Sequence, residues 1–294
     1  MGPRQVWVNG ALARADAPHL SAFDRGFQLG DAVFETLRAR AGRTTELDQH
    51  LARLRASADG LAITLPGNAE AEIAAGIADL LRAEDLAGPD RDAAIRVTVS
   101  RGPFFGRGLL PPADAEPIPT VVVQAWPVPP PPAGHIEQGI RLVTSAVRRD
   151  PSSPLARLKT TSRADHVFAR LEAKRAGADD ALFLTVDGHL SEATSANVFL
   201  VQGTSLKTPS LACGILAGTT RDWLLAWGSR VGLEPQEGLF LPADLATADE
   251  AFLSSSVAGI LPVTTVDGHP IGTGKPGPWT LRARRDREAF MAGS

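Results

Sequence analysis

The chain has 294 residues and a formal net charge of −3, so it is long enough for two domains, and it carries no basic field that would bind nucleic acid. Its one cysteine, Cys213, excludes an internal disulfide and suits a reducing cytoplasm. No apolar run is long enough to span a bilayer, and the N-terminal residues lack the apolar core of a signal peptide, so we expect a cytoplasmic protein.

The first 126 residues mix strand-like and helix-like patterns. Asn9-Gly10 after an apolar run favours a hairpin turn. In the strand that contains Glu35, the alternation predicts Val33, Glu35 and Leu37 on one face and the residues between them on the other. The predicted strands cover 31–39, 95–99 and 120–125, and the predicted helices cover 46–61 and 69–86.

A proline-rich segment, 127–134, divides the chain, because consecutive prolines stiffen into an extended spacer. We therefore predict an N-terminal domain over 1–126, this linker, and a C-terminal domain over 135–294. The second half carries predicted strands at 140–147, 181–186, 197–201, 251–253 and 261–263, and helices at 162–175 and 219–231. The first of these helices is predicted to turn Ala164, Val167, Phe168 and Leu171 inward, and the residues after 278 read as a polar tail. Strands and helices without regular βαβ alternation indicate an α+β fold.

Lys159 is the first candidate for chemistry. It lies just before a predicted helix and close to Leu155 and Leu158. A desolvated lysine loses its charge more readily and becomes a nucleophile toward an aldehyde. The alternative is a solvated surface lysine.

Two segments in the second half carry further polar candidates. Glu192 lies in Ser191-Glu-Ala-Thr-Ser-Ala-Asn197, where it is either a buried acid or a turn glutamate. Gly214-Ile-Leu-Ala-Gly-Thr-Thr-Arg221 opens a helix with Thr219 and Thr220, and a helix N-terminus is a ready anion site as well as a place for a threonine cap. Ser256 follows a later strand and adds a hydroxyl.

The first half adds basic and acidic candidates. His50 and Arg53 share one face of a helix because they are three residues apart. An arginine suits phosphate, since its fork of donors is fixed and always charged, although a solvated helix arginine is the alternative. The strand of Glu35, Thr36 and Arg38 completes this set.

These segments, in this order between roughly Asp24 and Val263, resemble the fold-type IV enzymes that use pyridoxal 5′-phosphate (PLP). The resemblance implies a two-domain fold with the site at the domain interface. It also implies Lys159 as the Schiff-base lysine, Glu192 against the pyridine nitrogen, and a strand containing Glu35 and Arg38 that lines the substrate pocket. The other implied cofactor-binding residues are Arg53, Thr219, Thr220, Ser256, Asn197 and Leu216. No metal is implied.

Three features bear on the branch of the family. The chain contains no tyrosine, whereas branched-chain aminotransferases commonly carry one five residues after the lysine, where this chain has Ala164. Lys159-Thr-Thr-Ser-Arg163 and Ser100-Arg-Gly-Pro-Phe-Phe-Gly-Arg-Gly108 are closer to D-amino acid aminotransferases and aminodeoxychorismate lyases. Arg107 and Arg101 are therefore candidates for a substrate carboxylate, or else solvated arginines on a mobile loop.

We expect an aminotransferase that uses a D-amino acid or an (R)-amine with a 2-keto acid, working as a homodimer because the loop of relatives can reach the neighbouring subunit. An aminodeoxychorismate lyase that releases pyruvate and 4-aminobenzoate is the alternative, followed by a branched-chain L-amino acid aminotransferase. A non-catalytic small-molecule binder is a further alternative, which the intact set of Lys159, Glu192 and Arg53 disfavours.

Overall fold

The computed structural model describes residues 2–112, 114–115 and 117–293. These residues form two compact units. The first comprises the chain up to Pro129 together with Leu158–Ser162, and the second comprises Pro130–Arg157 and Arg163–Gly293. Met1, Ala113, Glu116 and Ser294 fall inside the predicted domain ranges but outside the described residues.

The two units and the sequence-based domains assign the segment around Lys159 differently. The sequence analysis gave all of 135–294, including Lys159, to the C-terminal domain. Leu158–Ser162 instead packs in the first unit, because Thr160 forms an antiparallel bridge with Val33 there. The lysine is thus presented by a short excursion of the chain into the first unit.

The first unit contains an antiparallel six-stranded sheet. Its elements are β1 (Gln5–Val8), β2 (Ala11–Arg14), α1 (Arg25–Leu29), β3 (Ala32–Arg40), β4 (Arg43–Thr44), α2 (Leu47–Gly60), α3 (Ala69–Ala83), β5 (Asp92–Ser100) and β6 (Thr120–Pro127). The strand order is β2-β1-β6-β5-β3-β4. At the β1–β2 turn, Asn9 and Gly10 both have positive φ, as the Asn-Gly pair predicts.

The two faces of this sheet differ in chemistry. Apolar residues of β3 and β5 such as Val33, Leu37 and Val97 are fully buried in one cluster with residues of α2 and α3. Glu35 lies on this same face, since alternate residues of a strand point the same way. The opposite face carries Phe34, Thr36 and Arg38 from β3, and from β5 it carries Arg96 and Thr98 at paired positions.

The second unit is built on a nine-stranded mixed sheet. Its elements are β7 (Ile140–Arg149), α4 (Ala164–Arg175), β8 (Asp180–Thr185), β9 (Leu190–Ala193), β10 (Asn197–Gln202), β11 (Ser205–Pro209), α5 (Thr219–Val231), β12 (Glu234–Gly238), α6 (Pro242–Ala246), β13 (Glu250–Ser255), β14 (Gly259–Val266), β15 (His269–Pro270) and α7 (Pro278–Gly293). The order is β12-β11-β10-β13-β14-β7-β8-β9, with β15 on β14. Because β9 also pairs with β10, six of these strands close into a ring. Together with the first unit this confirms an α+β fold.

Helix α4 turns a different face inward from the one predicted. The residues it buries are His166, Ala169 and Ala173, because the two alanines allow close packing on Ala181 and Phe183. The apolar residues predicted to face inward are largely exposed instead: Val167 by 59%, Phe168 by 47% and Leu171 by 44%.

The polar tail predicted after residue 278 is also wrong, because it forms α7. The helix buries Thr280, Ala283, Arg287 and Met291, which recur at helical spacing. Thr280 Oγ1 donates a 2.7 Å hydrogen bond to Glu250. Among the described residues, no helix combines the length and apolar composition that crossing a membrane requires.

Candidate active site

The backbone of Lys159 is held from both sides in the first unit. The N–H of Phe34 donates to the carbonyl of Lys159 at 2.9 Å, and the N–H of Lys159 donates to Ser57 Oγ at 3.2 Å. Helix α2 passes close by, since a Cβ on Gly60 would come within 2.8 Å of Leu158. The Nζ of Lys159 lies 4.9 Å from the centroid of the Phe34 ring. The amine is therefore partly shielded by an aromatic face on a fixed backbone, which suits a nucleophilic lysine.

A buried ionic cluster lies in the same unit. Glu35 is fully buried, and its two oxygens accept hydrogen bonds from Arg53 Nε at 2.7 Å and Arg53 Nη2 at 2.8 Å. His50 Nδ1 lies 2.7 Å from Glu35 Oε2. Burial alone would raise the pKa of Glu35, but the hydrogen bonds from Arg53 and His50 and the charges of Arg53 and Lys159 lower it to about 2. Glu35 is therefore an ionised carboxylate at every physiological pH.

Four residues were predicted to bind substrate, and their surroundings differ. Glu35 is enclosed, as just described. Arg38 pairs with Asp92 at 2.7 Å through Nε. Arg101 donates to Asp31 and to the carbonyls of Leu61 and Ala62 at 2.7–3.0 Å, which ties its loop to the end of α2. Arg107 is exposed. Arg107 is thus the one of the four whose described surroundings leave the side chain open to solvent.

The structure adds a basic residue that the sequence analysis missed. Arg96 lies on the open face of the first sheet, with its Cζ 3.9 Å from the centroid of the same Phe34 ring that Lys159 approaches. Its Nε donates to Thr98 Oγ1 at 3.2 Å. Arg96 is paired with Thr36 on the strand that carries Phe34, whereas Lys159 reaches the same ring because Thr160 bridges to Val33, which no local sequence pattern shows.

In the second unit, Glu192 and Asn197 hold one residue between them. The N–H of Leu216 donates to Glu192 Oε2 at 3.0 Å, and Asn197 Nδ2 donates to the carbonyl of Leu216 at 3.0 Å. Glu192 and Asn197 are themselves paired across β9 and β10. Three of the predicted cofactor-binding residues are therefore joined in one hydrogen-bonded group, with Glu192 buried.

The start of α5 forms a second group in this unit. Gly218 is the N-cap residue of this helix and provides no side-chain cap, and the N-terminus of a helix is a favourable place for an anion. A Cβ on Gly218 would collide with the side-chain oxygen of Asn197. Thr219 Oγ1 lies 3.4 Å from Ser256 Oγ, and Arg287 donates to Thr220 Oγ1 at 3.3 Å. The helix start thus offers hydroxyls and N–H groups around a position where only glycine fits.

Two arginines near Glu192 were also missed. Arg149 Nη2 lies 3.7 Å from Glu192 Oε1, and it donates to the carbonyl of Gly214 at 3.1 Å. Arg163 donates to the carbonyl of Thr194 at 2.5 Å. Burial lowers the pKa of Arg163, and the carboxylate of Glu192 opposes this. Glu192 consequently lies close to two guanidinium groups.

His166 completes this cluster from helix α4. Its Nδ1 lies 2.7 Å from Asp165 Oδ1, while its Nε2 is buried without a hydrogen-bond partner in the described chain. Burial and the charge of Arg163 lower the pKa of His166 to about 4, although Asp165 acts in the other direction. The imidazole is therefore neutral at physiological pH.

The comparisons with known proteins agree on one family. The sequence model of the amino-transferase class IV family matches residues 32–266. A putative branched-chain-amino-acid aminotransferase of Methanocaldococcus jannaschii is 35% identical, over 95% of this chain and 94% of the relative. A D-alanine aminotransferase of Bacillus licheniformis is 31% identical, over 94% of this chain and 93% of the relative. The crystal structure of 4-amino-4-deoxychorismate lyase from Pseudomonas aeruginosa superposes with a TM-score of 0.81 at 35% identity, over 97% of this chain and 98% of that one.

The fold and these matches define a fold-type IV enzyme. The chain belongs to the class IV aminotransferases, whose members depend on PLP. The chemistry of the described residues is compatible with that cofactor. The first unit contains the amine of Lys159, and the second unit contains the buried carboxylate of Glu192 and a helix start with hydroxyl groups beside Gly218.

Proposed function

We propose that this enzyme transfers an amino group between a D-amino acid and a 2-keto acid with the help of PLP. When bound, PLP supplies an aldehyde that captures the amino group and a ring that takes up electrons from the substrate Cα. The observation that carries the catalytic part is Lys159, whose amine lies against Phe34 on a backbone fixed by Phe34 and Ser57.

Each residue has a distinct role in this proposal. Lys159 Nζ would hold the cofactor and would move the proton of the substrate Cα as a general base. The carboxylate of Glu192 would pair with the ring nitrogen of PLP, and the hydrogen bond from Leu216 orients that carboxylate, with Arg149 Nη2 3.7 Å from it. Thr219, Thr220, Ser256 and Arg53 hold the phosphate, and Asn197 orients Leu216.

The absence of tyrosine and the sequence of the Ser100–Gly108 loop after β5 support the choice of a D-amino acid as substrate. The chain has no tyrosine, and Ala164 stands where branched-chain aminotransferases commonly have one. The relative from Bacillus licheniformis is named a D-alanine aminotransferase. Arg96, which approaches the same Phe34 ring as Lys159, is a further candidate for the substrate carboxylate, because a guanidinium pairs well with that group. An (R)-amine, which lacks a carboxylate, is the alternative amino donor in this proposal.

Two other activities have specific support. The Ser100–Gly108 loop resembles that of aminodeoxychorismate lyases, and the lyase of Pseudomonas aeruginosa is 35% identical. In that activity Lys159 would move protons in an elimination that releases pyruvate. A branched-chain L-amino acid aminotransferase is favoured by the 35% identical relative from Methanocaldococcus jannaschii.

A half-reaction experiment separates these activities. The PLP-loaded enzyme is mixed with a single amino donor and no keto acid, and the visible absorbance of the cofactor and the released keto acid are followed. D-alanine should convert the spectrum and release pyruvate in a one-to-one ratio with enzyme. Conversion by L-leucine but not D-alanine would replace the D-amino acid proposal with the branched-chain one. Turnover of aminodeoxychorismate without any conversion by amino acids would establish the lyase.

We also propose a homodimer. An exposed apolar surface in the first unit is formed by Phe23, Phe27, Phe105 and Leu109, with Phe27 and Phe105 each exposed by 75% and Leu109 by 79%. Contacts hold these residues together, since the rings of Phe23 and Phe105 lie 5.0 Å apart and the buried Arg25 donates to the carbonyl of Leu109. Apolar patches of this kind mark protein interfaces.

A cytoplasmic location is part of the proposal, given a single cysteine that is buried.

A further inference from the structure

Glu35 is an ionised carboxylate inside a hydrophobic core. Its neighbours along β3 on the same face, Val33 and Leu37, are fully buried, and so is Glu35 itself. Removing a carboxylate from water costs several kcal/mol unless charged partners and hydrogen bonds compensate for it. An aliphatic residue would fit the strand pattern without that cost, so the acid has a use other than packing.

The geometry around Glu35 fixes one guanidinium. Arg53 donates from Nε and Nη2 to separate oxygens of Glu35, so two parallel hydrogen bonds determine the plane and the rotation of the guanidinium. Because an ionised carboxylate only accepts, the proton shared with His50 belongs to Nδ1 of the imidazole, which donates at 2.7 Å. His50 is itself fully buried on α2 and thereby holds the carboxylate in place.

The same cluster acts on the charge of Lys159. Glu35 follows Phe34, whose N–H binds the carbonyl of Lys159 and whose ring lies under its Nζ. The charge of Lys159 contributes to the lowered pKa of Glu35. Interaction between two charges is mutual, so the carboxylate favours the protonated amine, whereas Arg53 by itself would disfavour it. Together, Glu35 and Arg53 add no net charge beside the amine.

We propose that Glu35 is a positioning residue that orients the guanidinium of Arg53 and cancels the charge that Arg53 would otherwise impose on Lys159. The phosphate role of Arg53 rests on the proposed function, whereas the effect on Lys159 does not. Glu35 supports the site from the core side of β3 without touching the substrate.

The test titrates Lys159 directly in the full-length chain freed of cofactor. The chain has four lysines, Lys159, Lys174, Lys207 and Lys275, so their labelled side-chain NMR signals can be resolved and assigned by substitution. Glu35→Gln should move the titration midpoint of Lys159 to lower pH by about one unit, a tenfold loss of proton affinity. Arg53→Gln should move it the opposite way, and the double variant should return it close to the wild-type midpoint.

Matched controls separate this charge effect from damage to the fold. Arg55 and Glu70 form a similar pair that begins two residues further along α2 but lies nearer the surface, so Glu70→Gln should leave the Lys159 midpoint unchanged. If Glu35→Gln does not fold, the difference between Arg53→Gln and the double variant measures the same interaction, because neither leaves an unpaired arginine in the core. Equal midpoints in all variants, or shifts of one sign in both single variants, would overturn the proposal.

A second readout covers the orientation of Arg53. Affinity for inorganic phosphate, measured by phosphorus NMR on the same cofactor-free chain, should fall about tenfold in Glu35→Gln and remain unchanged in Glu70→Gln. An unchanged phosphate affinity in Glu35→Gln would overturn the orienting role. Neither readout uses turnover, so failure of transamination with every amino donor would refute the proposed function while leaving this result intact.

Discussion

The side-chain oxygen of Asn197 occupies the space that any side chain on Gly218 would need. The same asparagine donates to the carbonyl of Leu216, two residues earlier in the loop. A strand residue thereby sets the distance between the loop and β10, and glycine at 218 allows the start of α5 to approach Asn197 closely.

Gly218→Ala should weaken PLP binding at least tenfold, since the new methyl group must displace Asn197 or the helix start. Equilibrium binding of PLP to the cofactor-free chain measures this. Gly67→Ala is the control, because a Cβ there meets nothing within 4 Å. Adding Asn197→Ala to Gly218→Ala should restore part of the affinity. A wild-type affinity for PLP in Gly218→Ala would contradict the proposed role of the α5 start in binding the phosphate.

Lys159→Ala should abolish both turnover and the visible absorbance of bound PLP, because no other amine is proposed to hold the cofactor aldehyde. Absorbance spectra and a transamination assay measure the two effects. Lys174→Ala, on the exposed side of α4, should retain both. Full activity in Lys159→Ala would show that Lys159 has no catalytic role.

Much of the fold followed from the sequence because strand alternation and helix spacing are local properties. The prediction over 219–231 matches α5 residue for residue. Helix α7 was missed because Thr280 and Arg287, two of the residues it buries, are polar, and their burial depends on Glu250 and Thr220 elsewhere in the chain. The prediction of the inward face of α4 was wrong because apolarity alone does not distinguish a buried helix face from an exposed one.

The candidate site shows the same limit. Motif spacing identified Lys159, Glu192 and Arg53 as candidates. The environment of each depends on contacts between distant residues, such as Arg149 beside Glu192 and Arg96 beside the Phe34 ring. Likewise, nothing local distinguished Arg101, which is engaged by Asp31, from the exposed Arg107.

His166 should make the enzyme acid-sensitive between about pH 6.5 and pH 4. Its folded pKa of about 4 lies below the ordinary 6.5, so the unfolded chain takes up a proton first and stability falls as pH drops through this window. Asparagine at 166 cannot titrate. The free energy of unfolding of His166→Asn should therefore fall by about 3 kcal/mol less than that of the wild type over that range. Chemical denaturation at several pH values measures this, with His19→Asn in the first unit as the control. Parallel stability curves for wild type and His166→Asn would contradict the prediction.

Arg96→Gln should raise the KM for amino acid substrates about tenfold or more while sparing amines without a carboxylate, if its guanidinium pairs with that carboxylate. The same assay applied to Arg107→Gln tests the exposed loop arginine. Steady-state kinetics with D-alanine and a simple (R)-amine measure the difference. An equal loss with both substrates would indicate a general defect instead of carboxylate recognition.

Replacing Phe27 and Phe105 with aspartate should convert the proposed homodimer to monomers, because charges are unfavourable at the centre of an apolar interface. Light scattering after size-exclusion chromatography measures the mass. Leu239→Asp, an exposed apolar residue of the second unit, serves as the control. A monomeric wild type, or an unchanged mass in the double variant, would argue against this surface.

The excursion of Leu158–Ser162 into the first unit has a consequence for recombination between relatives. A crossover in the proline-rich segment would deliver Ala32, Phe34 and Ser57 from one parent and the reactive lysine from the other. The residues that form the hydrogen bonds to the backbone around this lysine would then come from two different parent proteins. Chimeras of class IV enzymes should consequently fold and function best when residues 158–162 and the N-terminal half come from the same parent.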